Sequence, residues 1–138
     1  MVDIVSKSKR SSMMSGIRGK NTRPELVVRR FLHRDGLRFR LHDRTLPGHP
    51  DIVLARYSAI VDVHGCFWHQ HPGCRYAYMP ASNRSFWSRK LRGNARRDVR
   101  NHNALTALGW RVFIVWECEV ANVPYLKKLA RKIRRAHE

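Results

Sequence analysis

Residues 50–64 constrain this chain more than any other stretch. Pro50-Asp51-Ile52-Val53-Leu54 and Ile60-Val61-Asp62-Val63-His64 are two short β-branched runs joined by a tight connection, the signature of a strand hairpin. The hairpin's ends are poor core material. An aspartate opens the first run, and the second continues into Gly65-Cys66-Phe67-Trp68-His69-Gln70-His71-Pro72-Gly73-Cys74. Carboxylate, imidazole, thiol and indole gathered at strand ends point to chemistry done on something held against the sheet.

The flanking segments predict layers around that hairpin. Thr22-Arg23-Pro24-Glu25 is a helix start with a capping box and an early proline. Val28, Phe31 and Leu32 give the helix an apolar stripe, and Gly36 ends it. Glu25 lies on the side of Val28 and Leu32, so it either only caps or leans inward. Leu37 to Leu41 alternates apolar and basic, as a strand with one wet face does. From about Ser85 to Leu108 the spacing is helical. Leu91, Ala95, Val99, His102, Leu105 and Leu108 form the expected inner stripe, with Phe86 assigned to the core. Lys90, Asn94 and Asp98 form a polar stripe beside it, and Arg89, Arg92, Arg96 and Arg100 face the other way. Arg111 to Trp116 is almost continuously apolar, as expected of a buried central strand. A last amphipathic helix spans about 123–136. The order α-β-β-β-α-β-α predicts an α/β fold, one mixed sheet flanked by helices. Residues 21–138 then form a single domain, preceded by a basic, Ser-rich arm over 1–20.

Charge narrows the partners. Lys and Arg number 28 against 10 Asp and Glu, a formal +18, and such self-repulsion is relieved by an anion on the surface. Nucleic acid is the first candidate, with a membrane surface or acidic protein second. No apolar run approaches the ~18 residues a membrane span needs, and no signal-peptide core is apparent. With three cysteines, metal binding is favoured over disulfides. The expected compartment is the reducing cytoplasm, with the protein held on the nucleoid through its DNA.

Two metal constellations stand out. Cys66, His71 and Cys74, completed by Cys118 after the strand 111–116, use every cysteine of the chain. Three thiolates and one imidazole are a common closed zinc set; the alternative is buried free thiols without metal. Asp51 and Asp62 could converge on one magnesium ion, which prefers carboxylates, water and phosphate oxygens. His64 shares a strand face with Asp62, and His69 could take or relay a proton. Phe67, Trp68 and Trp87 lie beside arginine clusters, where aromatic rings stack on bases or wedge between them.

Three segments carry a resemblance: Pro47-Gly48-His49-Pro50-Asp51, His64 to His69, and Gly109 to Cys118. They resemble the very short patch repair endonucleases, and the similarity runs from about Ser11 to Cys118. The resemblance implies a restriction-endonuclease-like fold with a PD-(D/E)xK-type site and a structural zinc. It also implies recognition, in double-stranded DNA, of the T:G mismatch left by deaminated 5-methylcytosine. The implied nick falls 5′ of the thymine and would need magnesium. Asp51 would bind that ion with the Val63 main-chain carbonyl, and His64 stands in place of the usual lysine. His69 would be general base or acid, with Glu25 and Asp98 ordering water or orienting a histidine. Cys66, His71, Cys74 and Cys118 match the zinc ligands. Phe67, Trp68 and Trp87 match a wedge entering from the major groove, and Met14 one from the minor groove. Lys90 and Asn94 match residues near the mismatch and scissile phosphate. A monomer is implied, functionally linked to a cytosine-5 methyltransferase and to mismatch-repair proteins. Asp62 departs from the family, an apolar residue standing there in a better-studied member, and Pro72-Gly73 lengthens the zinc loop by a residue. Two other readings stay open on the residues alone: a restriction-type endonuclease cutting perfect duplex, and a non-catalytic zinc-stabilised DNA-binding module.

Overall fold

The computed structural model describes residues 21–135. The expected arm over 1–20, with Met14, lies outside the described residues, as do residues 136–138. The element order is α1 (Arg23–Arg34), β1 (Arg40–Leu41), β2 (Ile52–Leu54), β3 (Ala59–His64), α2 (Arg84–Ala107), β4 (Arg111–Trp116) and α3 (Val123–Arg135), with short 3-10 turns after β2 and β4. This is the expected order. The strands form one mixed sheet in the order β1-β2-β3-β4, a layout that fits a restriction-endonuclease-like fold.

β2 and β3 pair antiparallel through Ile52↔Val61 and Leu54↔Ala59. β3 and β4 pair parallel, from Ala59↔Arg111 to His64↔Trp116. Because β3 alternates, one sheet face receives Ala59, Val61 and Val63, which pack with Val28 and Leu32 of α1 and with Leu126, Leu129 and Ile133 of α3. The other face carries Val53 and Ile60 against Leu105 of α2. Thr22 caps α1, its hydroxyl accepting from the Glu25 N–H, and Pro24 sits in the first turn. The Arg111 guanidinium donates to the Tyr57, Lys132 and Ile133 carbonyls and so fastens the end of α3 to the sheet.

Three expectations need correcting. β4 is an edge strand, mostly half-buried. It reads as apolar on both faces because Val112 meets the α2 side while Phe113 and Val115 meet the α3 side. The strand expected over 37–41 is only Arg40–Leu41. In α2, Val99 is 61% exposed and Phe86, assigned to the core, 54%, while Leu108, just past the helix end, is 62% exposed. A stripe stepping by four drifts by about 40° per step around a helix of 3.6 residues per turn. The inner face instead runs Leu91, Asn94, Asp98, His102, Leu105, apolar at its ends and polar in the middle. That polar middle is what α2 presents to the end of β3.

Candidate active site

The sheet's geometry gathers the chemistry at one end. Asp51 precedes β2, and β2 runs antiparallel to β3, so Asp51 and His64 share an end; the parallel β4 brings Trp116 to the same place. The turn before Asp51 is set by Gly48, at φ +75°, where an added Cβ would fall 2.7 Å from the Asn101 side-chain nitrogen of α2. Only glycine lets that turn lie against the helix.

On one side lies an acid group. One Asp51 carboxylate oxygen accepts the Val63 N–H at 2.9 Å, and the Asp51 N–H donates to Asp62 Oδ1 at 3.2 Å. A strand residue's N–H and C=O point to the same edge, so the Val63 carbonyl faces the Asp51 side. Glu25, 2% exposed, accepts from the Arg29 guanidinium at 2.8 Å and from the Asn21 N–H at 3.1 Å. His42 stands between the acids, Nε2 3.6 Å from Glu25 and Nδ1 3.9 Å from Asp51. Glu25, His42 and Asp51 form a group that could hold a metal ion. Burial, then the Asp62 and Glu25 charges, push the Asp51 carboxyl up to about 8. Burial also raises Asp62 and Glu25. Three acids in mutual repulsion are an arrangement that a cation stabilises.

On the other side lie the imidazoles. His69 Nδ1 is 2.6 Å from Asp98 Oδ2, and the His69 ring stacks on His64 with centroids 3.9 Å apart. Burial, with the neighbouring His69, lowers His64 to about 4, so the ring is neutral near pH 7. Its Nδ1 is buried without a hydrogen-bond partner among the described residues, as happens in sites that something else completes. His64, His69 and Asp98 form a second group that could hold a metal ion. Asp62 lies electrostatically between the two sides, raising Asp51 and Glu25 while feeling His69, Asp98 and His102.

The third group is Cys66, His71, Cys74 and Cys118, whose ligand atoms all lie within 4.8 Å of one another. The parallel register makes this possible. His64 pairs with Trp116, so Cys66 and Cys118 each stand just past the end of adjacent strands. His71 Nδ1 is 3.7 Å from Cys66 Sγ and 3.5 Å from Cys118 Sγ. Trp116 joins this group to the imidazoles: His71 stacks on it at 4.1 Å, and His64 meets it edge-on at 5.2 Å.

The aromatic residues converge. Phe67, Trp68 and Trp87 lie with ring centroids 5.1 to 6.0 Å apart. Tyr78 joins them at 5.1 Å from Phe67, and Asn94 donates to the Trp68 carbonyl at 3.1 Å. Lys90 is half-buried one turn before Asn94.

The structure brings the described candidate residues to one sheet end, where they form an acid side and an imidazole side. Sequence reasoning missed Arg29, His42, His102 and Trp116. Arg29 reads as an ordinary solvated cation on a helix, and Trp116 as core. The usable signal was His42 itself, an imidazole directly after a strand that pairs with the hairpin.

Comparison with known proteins identifies the family. The family profile of DNA mismatch endonuclease Vsr matches residues 2–75. The chain is 47% identical over 133 residues to the type II nicking enzyme V.XorIIP of Xanthomonas oryzae pv. oryzae, covering 96% of this chain and 97% of that protein. It is 43% identical to the type II nicking enzyme V.NmeAIP of Neisseria meningitidis, over 99% of each. It is 42% identical over 118 residues to the DNA mismatch endonuclease Vsr of Escherichia coli, covering 86% of this chain and 75% of that one. This chain belongs to the Vsr family of DNA mismatch endonucleases.

Proposed function

We propose that this protein hydrolyses one strand of duplex DNA at a T:G mismatch, on the 5′ side of the thymine. Family membership supports an endonuclease acting at mismatches, and the names of the relatives support nicking. The observation that carries the reading is the placement of the aromatic cluster. Phe67 and Trp68 follow His64 and precede His69 in one loop, so a base pair opened by those rings lies beside the acids and imidazoles. Opening a mispaired step costs less than opening a paired one, which favours the faulty site.

Asp51, with the Val63 carbonyl on the same edge, would hold magnesium, and Asp62 would add charge to that position. The hard oxygen donors and their mutual repulsion fit such an ion. An ion held there would supply polarisation of the scissile phosphate and activation of water. His69, with Nδ1 engaged by Asp98, has Nε2 left to take or give a proton. The neutral His64 ring stacks against it and limits its tilt. Glu25, fixed by Arg29, would order water.

The cysteine group fits zinc. Zn–S near 2.3 Å and Zn–N near 2.05 Å give a tetrahedral S···N edge of about 3.6 Å, against the observed 3.5 and 3.7 Å. Burial pushes the Cys66 thiol up to about 12, a cost that a cation held by thiolates removes. Phe67, Trp68 and Trp87 would enter from the major groove and Met14 from the minor groove, with Lys90 and Asn94 near the mismatch. The exposed arginines of α2 would hold phosphates. A single set of site residues suits a monomer that cuts one strand. A functional link to a cytosine-5 methyltransferase, whose product deaminates to thymine, and to mismatch-repair proteins follows from that substrate.

Incubation with magnesium and oligonucleotides carrying one T:G pair in varied contexts tests the reading. One strand should be cut 5′ of the thymine and paired duplex left intact. Equal cutting of paired duplex, or of both strands, would overturn it.

A further inference from the structure

Among the described residues, Arg29 and His42 build a polar cluster that joins Glu25 to Asp51. One terminal nitrogen of the Arg29 guanidinium faces two partners, Glu25 Oε2 at 2.8 Å and His42 Nε2 at 2.9 Å. The other terminal nitrogen donates to Asn21 Oδ1 at 2.9 Å. A guanidinium has donors and no acceptor, so His42 Nε2 must be the unprotonated nitrogen of a neutral ring. The ring proton is then on Nδ1, the nitrogen that faces Asp51 Oδ1 across 3.9 Å. That separation exceeds a hydrogen bond, but with both side chains largely withdrawn from water the N–H dipole still acts on the carboxylate. The backbone makes the same link. The His42 N–H donates to the Asp51 carbonyl at 3.1 Å, and His42 takes a positive φ of 49° to present its ring there.

We propose that His42 is a positioning residue for the reaction. Oriented by Arg29, it turns its Nδ1–H toward one Asp51 oxygen while the Val63 N–H holds the other. The Asp51 carboxylate is thereby kept in one rotation about its last bond, ready to take a divalent cation. The inference rests on the reading of Asp51 as a metal-holding residue and extends it to Arg29 and His42.

Glutamine can reproduce the required polarity, an amide oxygen accepting from Arg29 and an amide N–H aimed at Asp51; leucine has similar bulk and neither group. The test measures Mn2+ binding to the DNA-free protein by the loss of the free-ion paramagnetic signal, alongside the magnesium concentration for half-maximal nicking. Outer partners of metal-holding groups are worth about 10- to 100-fold in affinity. His42→Leu should therefore weaken Mn2+ binding and raise the magnesium requirement by about tenfold or more. His42→Gln should recover most of both, with binding of T:G DNA in EDTA unchanged throughout. Should His42→Leu fail to fold, His42→Asn takes its place, since its shorter amide cannot span from Arg29 to Asp51. If the leucine (or asparagine) and glutamine variants bind Mn2+ alike, His42 has no such role. Asp51→Asn separates the two levels. If it abolishes Mn2+ binding while the His42 variants do not differ, only the role of His42 fails. If it leaves Mn2+ binding intact, the reading of Asp51 fails as well.

Discussion

The acid side and the imidazole side of the site are built on different principles. Asp51, Asp62 and Glu25 are tied to main-chain N–H groups of Val63, Asp51 and Asn21, so the sheet and the start of α1 fix them. His64 and His69 are tied to side chains instead, by ring stacking and by the bond to Asp98 of α2. His69 also lies in the loop that the cysteine group closes. Backbone-held groups keep their geometry as long as the sheet stands. Groups held by side chains depend on loop and helix staying in register. On the proposed reading, the backbone-held half would bind the ion, and the side-chain-held half would move protons and open the base pair.

The severest test of this division is Asp51→Asn. Losing several kcal/mol of charge stabilisation should slow nicking about 10³-fold or more, while metal-free binding of mismatched DNA persists. Near-normal nicking would put the chemistry wholly on the imidazole side and break the comparison. His69→Ala should come next, about 10²-fold slower. Adding Asp98→Asn to it should cost little more, because residues acting as one unit are not additive. Additive losses in single-turnover rates would show that the pair is not such a unit. Cys118→Ser should lower the melting temperature by about 5–10 °C, as a few kcal/mol does in a domain of this size. Mn2+ binding at the acid side should survive at low temperature, and its loss would mean that the halves are not independent. The smallest effect expected is from Trp68→Ala. The ratio of T:G to paired-duplex nicking should fall about tenfold, the worth of one stacked base, with thermal stability little changed. An unaltered ratio would remove Trp68 from the opening of the pair.

Much of this was legible in the sequence, because its strongest signals are local. The β-branched runs gave the hairpin, the capping box gave α1, and the use of every cysteine pointed to one four-donor group. Cys118 could be joined to Cys66 because both follow strand runs, and the parallel pairing His64↔Trp116 is what makes them neighbours. What failed was the assumption that a helix facing the sheet must face it with apolar residues. α2 turns Asn94, Asp98 and His102 inward because it borders the site, and Val99 and Phe86 are left outside. Arg29 and His42 were illegible for a related reason. A cation on a helix and a histidine after a short strand look solvated until a third element, here Asp51 at the start of β2, stands beside them.

The register between β3 and β4 also bears on synthesis. Asp51, His64, His69 and Asp98 all precede β4, and Cys118 comes after it. A nascent chain on the ribosome would thus carry its proposed catalytic groups before it has the strand and thiol that stand beside the ring-bearing loop. Until that last strand docks, such a chain can cling to DNA by charge alone. On the proposed roles, the loop that carries His69 and Trp68 would be closed only once β4 and Cys118 have emerged.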